Sequence, residues 1–600
     1  MRGRLIARLL LRLVWWDGLL LNSLGLDQSL AELEEHIYQT KLSRRCWFLD
    51  GYEFLDANNH ARKQIIKDDL GCDTDDADDS NADVNSTLHM SDKLQDHSPH
   101  FNSCNHPCCC VFKLLNSLSH AQSRRKVNLP PGPPKLPIIG NLHQLSNQPH
   151  LSLQHLSNKF GPIFHLKLGE IPTVVISSAK IAKEAFKNHD ISLSSRPLLF
   201  PAKYLIYNCT DISFSPYGPY WRHVRKICIL ELLNTKRVQS FSFVREEEVA
   251  KLVRRIAEGY PDTINLSKKL MAFANDIIRR TAFGRCFTEE LGEDDDDDEE
   301  EFHAMLAESQ VLLGEFSLGD YFPSMEWIHT LTGRKARLVR LFRRFDRFFD
   351  RMIEEHMNST RVVRVDHRDL IDVLLDIQQN GSLDMPLTMD NIKAIIMDMF
   401  GAGTDTTFVA LDWGMTELLL NPKVMQKAQM EVRSVVGERR RVVESDLTQL
   451  DYLTCVIKEI LRLHPPAPLS LPRESMDDVT VDGYIIPAKT RFFTNVWAIA
   501  RDPDTWESPE TFKPERFINS SIDFRGQDFE FIPFGAGRRM CPAITFGTAT
   551  IELALAQLLH SFDWELPPGV TAENLDLSQE FGLTMRRSSD LIVIAKPRFP

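Results

Sequence analysis

One cysteine constrains this chain more than any other residue. Cys541 sits in the run Phe534-Gly535-Ala536-Gly537-Arg538-Arg539-Met540-Cys541-Pro542-Ala543, directly ahead of an apolar helical stretch, Ile544 to Phe562. Glycines let a backbone turn tightly and approach a flat ligand closely. Arg539 can meet an anionic edge, and the following helix presents unpaired N–H groups beside the sulfur. A nearby helix start favours the thiolate. A lone cysteine in an intracellular protein is most often a small buried apolar residue, but these surroundings suit a metal-binding thiolate.

A second stretch breaks a local rule. Apolar residues run from Ile392 through Ile396 and resume at Phe408, yet Gly401-Ala402-Gly403-Thr404-Asp405-Thr406-Thr407 falls between them, where helix propensity is poor. A rule broken inside a strong helix suggests function. Hydroxyls of Thr406 and Thr407 can bond back to carbonyls one turn earlier, bend the helix and open a groove for water or dioxygen. A tightly packed helix crossing would also use such small residues.

A third constellation is Glu459-Ile460-Leu461-Arg462 on the helical stretch from Asp451 to His464, followed by Phe512-Lys513-Pro514-Glu515-Arg516-Phe517. Positions i and i+3 share a helix face, so Glu459 and Arg462 can pair, and Arg516 can add donors in a planar fork. Exposed helices carry such pairs routinely and gain little from them. Order along the chain is what lends this one weight.

The patterns F-x-x-G-x-R-x-C-x-A, A-G-x-D-T-T, E-x-x-R and P-E-R-F, in these positions, resemble the haem-ligand loop, oxygen-binding helix and structural elements of the cytochrome P450 superfamily. The runs Leu463 to Leu469 and Phe581-Gly582-Leu583-Thr584 are similar to those of plant microsomal members of specialised metabolism. The resemblance spans nearly all of 129 to 600 and implies one triangular, mainly α domain with a small β region enclosing haem b. It implies Cys541 as the axial iron ligand, with Phe534 on the sulfur side. Arg539 would pair with a haem propionate, joined by Trp221 and Arg225 of a W-x-x-x-R element and by Arg473. Asp405 and Thr406 would relay protons, and Glu459, Arg462 and Arg516 would hold the fold around the haem.

The implied activity is a monooxygenase that inserts one oxygen atom from O2 into an apolar small molecule, with electrons from NADPH through NADPH–cytochrome P450 reductase. The chain's lack of a nicotinamide fingerprint agrees with a separate reductase. Arg225, Lys226 and Arg538 are candidates for the face where it docks. Substrate choice is expected at the loop Tyr204 to Phe214, at Met397 to Ala402, at Leu469 to Leu471 and at Leu583, with Ala402, Leu469 and Leu583 as pocket candidates. Two other readings are a haem-thiolate isomerase or dehydratase, against which the Asp405-Thr406 pair argues, and a noncatalytic haem-binding protein.

Amphipathic periodicity predicts helices over Arg337 to Glu355, Met389 to Leu420, Asp451 to His464 and Ile544 to Phe562. Alternation at Ile163 to Leu168 and the β-branched run Thr173 to Ser177 predict strands. The formal charge is −13, and nine of the acids form one run, Glu293 to Glu301, read as a solvated loop. No nucleic-acid footprint is visible.

The proline-dense segment Leu129 to Pro137 is stiff and resembles the hinge after the membrane anchor of microsomal members, which sit on the cytosolic face of the endoplasmic reticulum. Residues 1–128 do not fit that pattern. An anchor needs about 20 apolar residues, whereas Leu5 to Leu26 is interrupted by Arg8, Arg12, Asp17 and Asn22. The stretch Lys67 to Asp96 has a disordered composition, and six of the eleven cysteines fall in this atypical leader. The five scattered through 129–600 suit a reducing compartment.

Overall fold

The two predicted strands meet in a hairpin. In the computed structural model, which describes residues 128–284, 294–358, 368–380 and 385–599, β1 (Ile163–Leu168) pairs antiparallel with β2 (Ile171–Ile176), Leu168 opposite Ile171. Gly169 makes the turn at a φ of 62°, a left-handed conformation that suits a residue without a Cβ. Two distant strands complete the sheet: β3 (Arg473–Glu474) and β4 (Arg491–Thr494), in the order β1-β2-β4-β3 with β2 and β4 parallel. A separate hairpin joins β5 (Gln579–Phe581) to β6 (Met585–Arg587).

The proline-dense segment lies along the outer edge of β1. His165 N donates to Pro131 O at 2.8 Å and Lys167 N to Asn141 Oδ1 at 2.8 Å, so a carbonyl of the segment and the Asn141 side chain just beyond it satisfy part of that edge. The leader, with its interrupted apolar stretch, the Lys67 to Asp96 stretch and its six cysteines, lies outside the described residues, apart from Asn128.

Helices make most of the remainder. Those that build the site are α1 (Phe200–Leu205), α2 (Pro219–Ile227), α3 (Leu266–Phe283), α4 (Asp294–Gly314), α5 (Arg334–Asn358), α6 (Met389–Leu420), α7 (Asp451–Leu463) and α8 (Ile544–Ser561). The acidic run is not the loop expected from its charge, since its residues from Asp294 onward open α4. Acids suit the positive first turn of a helix. Basic residues of α5 then meet the acids of α4, Arg344 pairing with Glu301 at 3.0 Å and Arg337 with Glu308 at 2.7 Å.

At the centre, α6 is buried along most of its length, and its apolar residues fall on nearly every side, as a mostly enclosed helix requires. Thr388 and Asn391 close its first turn as a capping box. Its length and hydropathy would also suit a membrane span, but it is largely buried in the protein's own core. Phe273 of α3, Phe400 and Trp413 of α6, Ile460 of α7 and Leu555 of α8 share one apolar cluster. Gly403 lets α3 approach: a Cβ there would lie 2.7 Å from Ile278 Cδ1. The tight-crossing explanation for the glycine therefore holds alongside the functional one.

Candidate active site

The cysteine loop is shaped by its glycines. Gly535 and Gly537 take φ values of 71° and 67°, and Cys541 N donates to Phe534 O at 2.9 Å, so the loop folds back on itself before α8 begins. Cys541 and Phe534 line a cavity whose other walls include Ala402, Gly403 and Thr406 of α6. Burial pushes the Cys541 thiol up, while the Ala543 backbone N–H and the Arg225 guanidinium act in the opposite direction.

Across the cavity, Thr406 and Thr407 donate back to Ala402 O and Gly403 O at 2.7 and 2.8 Å. The helix nevertheless runs unbroken through this stretch. Asp405 behaves differently from its neighbour. Its carboxylate is buried and accepts hydrogen bonds from the Thr584 hydroxyl and the Arg586 guanidinium of the β5–β6 hairpin. Thr406 thus meets the cavity, whereas Asp405 is engaged one residue round the helix.

Four arginines converge on the edge of this cavity: Arg196, Arg225, Arg473 and Arg539. Arg539 donates to Ser194 O, Ile212 O and Ser215 O at 2.7, 3.2 and 2.5 Å and lies over the Trp221 ring, 4.0 Å from its centroid. Arg473 donates to Ala536 O at 2.6 Å and meets Asp190 at 3.4 Å. Arg196 donates to Ser213 O, Leu471 O and Pro472 O. Burial, then mutual repulsion, pushes Arg196 and Arg539 below the ordinary arginine value, and burial depresses Arg473. Buried cations supplied mainly with carbonyl dipoles are suited to a bound dianion. A flat ligand bearing two carboxylates, with a metal reaching the sulfur, fits this set of donors.

Sequence patterns do not point to Arg196, since an arginine ahead of Pro197 has no recognisable spacing to the loop it serves. Arg225 sits beside the sulfur, its Nη2 donating to Met540 O at 2.6 Å. Of the cations considered for a docking face it is thereby committed inside, while Lys226 and Arg538 are exposed. Trp221 commits its indole N–H to Ile212 O at 2.9 Å and serves Arg539 as a platform, so that N–H is not free for a propionate.

Among the substrate-pocket candidates, Ala402 and Leu583 line the cavity. Leu469 does not reach it, because it packs into a separate cluster with Leu166, Leu168 and Phe322. Ala467, Ser470 and Leu471 form the wall there instead.

Glu459 and Arg462 are fully buried and paired through two parallel bonds of 2.8 and 2.9 Å. Arg516 and the Lys513 backbone N–H both donate to Glu459 Oε1, at 3.0 and 2.8 Å. Arg462 also donates to Ala500 O and Pro509 O, tying α7 to the segment ahead of the cysteine loop.

The sequence model of the cytochrome P450 family matches residues 130–593. The chain is a cytochrome P450. It is 67% identical over 491 residues to cytochrome P450 71AP13 of Prunus mume, covering 82% of this chain and 95% of that relative. It is 46% identical over 521 residues to phenylacetaldehyde oxime monooxygenase CYP71AN24 of the same plant, covering 85% and 97%. Premnaspirodiene oxygenase of Hyoscyamus muticus is 44% identical over 492 residues, covering 81% and 96%. A zebra fish cytochrome P450 solved with abiraterone superposes with a TM-score of 0.64 at 26% identity, covering 76% of this chain and all of that one. This P450 is a haem-thiolate monooxygenase of the plant type, an oxidoreductase that works with a redox partner, a substrate and O2.

Proposed function

We propose that the cavity holds haem b with the Cys541 sulfur as its iron ligand, and that the enzyme inserts one oxygen atom from O2 into an apolar small molecule of plant specialised metabolism. The observation that carries this reading is that one cavity joins the Cys541 sulfur, the Ala402–Thr406 face of α6 and the arginine cluster. A thiolate-ligated haem supplies the activation of dioxygen.

The chain's own residues bind, orient and protect. Arg473 and Arg539, helped by Arg196 and Arg225, hold the two propionates. Phe534 packs the sulfur side, its ring 5.4 Å from that of Phe524, and limits water there. Thr406 donates its hydroxyl proton to Ala402 O, which leaves its oxygen lone pairs open to a hydrogen bond from the cavity. Asp405 serves as the proton-relay acid when it is released from Arg586. Ile212, Ala402, Leu471 and Leu583 supply the apolar wall that holds substrate near the reacting centre.

Electrons come from NADPH through NADPH–cytochrome P450 reductase docked on the cysteine side, where exposed Lys226 and Arg538 support attraction of an acidic partner. The enzyme works at the cytosolic face of the endoplasmic reticulum. Leu136 and Ile138 at the end of the proline segment, with Trp327 and Leu331 before α5, are exposed beside an apolar cluster containing Ile139 and Ile328 and support contact with lipid. The test begins with the carbon monoxide spectrum of the reduced protein. A thiolate-type band is expected, and Cys541→Ser should abolish it. A wild-type spectrum of the nitrogen-ligated kind would overturn the assignment. Turnover with reductase, NADPH and a panel of plant metabolites then reads out substrate.

A further inference from the structure

Two buried acids, Asp211 and Asp398, meet beside the cavity, and Asp398 forms part of its wall. Asp398 lies four residues before Ala402 and eight before Thr406 on α6, so the three share one helix face, and all three line the cavity. Asp398 Oδ2 accepts the backbone N–H groups of Ile212 and Ser213 at 2.7 and 3.2 Å. Asp211 Oδ2 accepts those of Ser213 and Phe214 at 3.1 and 2.9 Å. A single donor, Ser213 N–H, is therefore shared by oxygens of both carboxyl groups, which brings those oxygens together.

Both side chains are buried, and Asp211 Oδ1 is buried without an N–H or O–H donor. Two negative charges this close do not both persist in a buried site. A proton held between the two carboxyl groups removes one of those charges.

The carbonyl of the clamped residue is gripped as well. Trp221 Nε1 and Arg539 Nη1 both donate to Ile212 O, at 2.9 and 3.2 Å. Ile212 and Ser213 line the cavity, and their peptide groups run between the acid pair on one side and the arginine cluster on the other. Turning either peptide breaks bonds at both ends.

We propose that Asp211 and Asp398 share one proton and act together as positioning residues, fixing Ile212 and Ser213 as a specificity-determining wall over bound substrate. Loss of the shared proton puts two carboxylates in contact and loosens that wall. The groups around the pair are Arg196 ahead of α1, Cys209 in the same loop, Tyr220 and Cys228 on and after α2, and Arg539 of the cysteine loop. The two arginines favour ionisation, whereas the buried setting opposes it. Burial is the main cause that raises both acids above the ordinary aspartate value.

The inference rests on this cavity being the substrate site, yet its test needs neither substrate nor turnover. Amide hydrogen exchange is followed on the haem-loaded full chain from about pH 6 to about pH 9, corrected for intrinsic rates, a span that brackets the release of a proton from a raised carboxyl pair. Protection of the Ile212, Ser213 and Phe214 amides should fall roughly tenfold or more at the upper end in the wild type. In Asp211→Asn the carboxamide offers one acceptor oxygen and donates an N–H to Asp398, so protection should stay level with pH. Asp398→Ala should lose it throughout. Binding of 1-phenylimidazole to the haem iron should weaken with pH in the wild type and not in Asp211→Asn. Flat wild-type protection, an Asp211→Asn variant that tracks the wild type, or unchanged 1-phenylimidazole affinity alongside a fall in protection would each overturn the proposal. A missing thiolate spectrum would instead strike only the reading of the cavity.

Discussion

Asp405 of the central helix is ion-paired to Arg586 of the C-terminal hairpin, and the intervening Thr584 both bonds to Asp405 and lines the cavity. The carboxylate has almost no solvent contact, while Arg586 is partly exposed. Removing the cation leaves a buried charge with a hydroxyl partner only. Arg586→Met should therefore cost roughly 2–3 kcal/mol of stability. Once Asp405 is free to turn toward Thr406, the partition of NADPH between product and peroxide should also change. Urea unfolding of the holoenzyme checks the first expectation, and product formed per NADPH consumed checks the second. Asp405→Asn with Arg586→Met should recover much of the stability and none of the coupling.

The arginine cluster makes a prediction of opposite sign for the two forms of the protein. Arg539 is held below its ordinary value by burial and by its repulsion from Arg473 and Arg225. In Arg539→Gln the carboxamide can still donate to Ser215 O while the repulsion disappears. The apoprotein should melt at the same temperature or slightly higher, whereas haem should leave the holoprotein roughly tenfold faster for the loss of a charge-assisted contact. Thermal unfolding of both forms, with haem transfer to apomyoglobin, separates the two effects.

Much of the fold was legible because period and position coincide. The Ile163 to Leu168 alternation is β1 residue for residue, and Met389 to Leu420 is α6 without adjustment. The Glu459–Arg462 spacing announced a pair, but only burial decides that it is structural rather than a solvated helix face. What stayed hidden are relationships across long sequence separations. Nothing local tells Leu469 to turn into the sheet-side cluster while Ser470, at a φ of 50°, meets the cavity. Arg586 is 181 residues from Asp405, and Asp398 is 185 from Ser213. The acidic run is helical from Asp294 despite its charge, because acids are stabilised in the first turn of a helix.

Stability should also respond to pH through Glu552 on α8. Burial first, and then the nearby Glu444 charge, raise its carboxyl to about 7 from an ordinary 4.5. Between those two values the folded protein holds a proton that the unfolded chain has released. Stability contributed by this group is present below the unfolded value and is lost as pH rises toward 7. The denaturation midpoint of the wild type should fall from pH 5 to pH 8, and Glu552→Gln should flatten that slope. An equal slope in the variant would assign it to other groups.

Gly403 and Ile278 offer a test of the crossing between α3 and α6 that needs no substrate. An added Cβ at Gly403 would lie 2.7 Å from Ile278 Cδ1 and 3.2 Å from its Cγ1. Replacing glycine by alanine inside a helix should gain about 1 kcal/mol from backbone propensity, but forcing a methyl into a packed crossing costs typically 1–3 kcal/mol. The clash should win, because Ile278 is itself buried and β-branched, with few rotamers available. Ile278→Val removes the Cδ1 atom that is hit first, so the double variant should be more stable than Gly403→Ala alone, although Ile278→Val by itself destabilises. A coupling energy of roughly 1 kcal/mol or more in a double-mutant cycle would mark direct contact. Strict additivity would mean that the helices part at Gly403 and leave the glycine free of this packing demand.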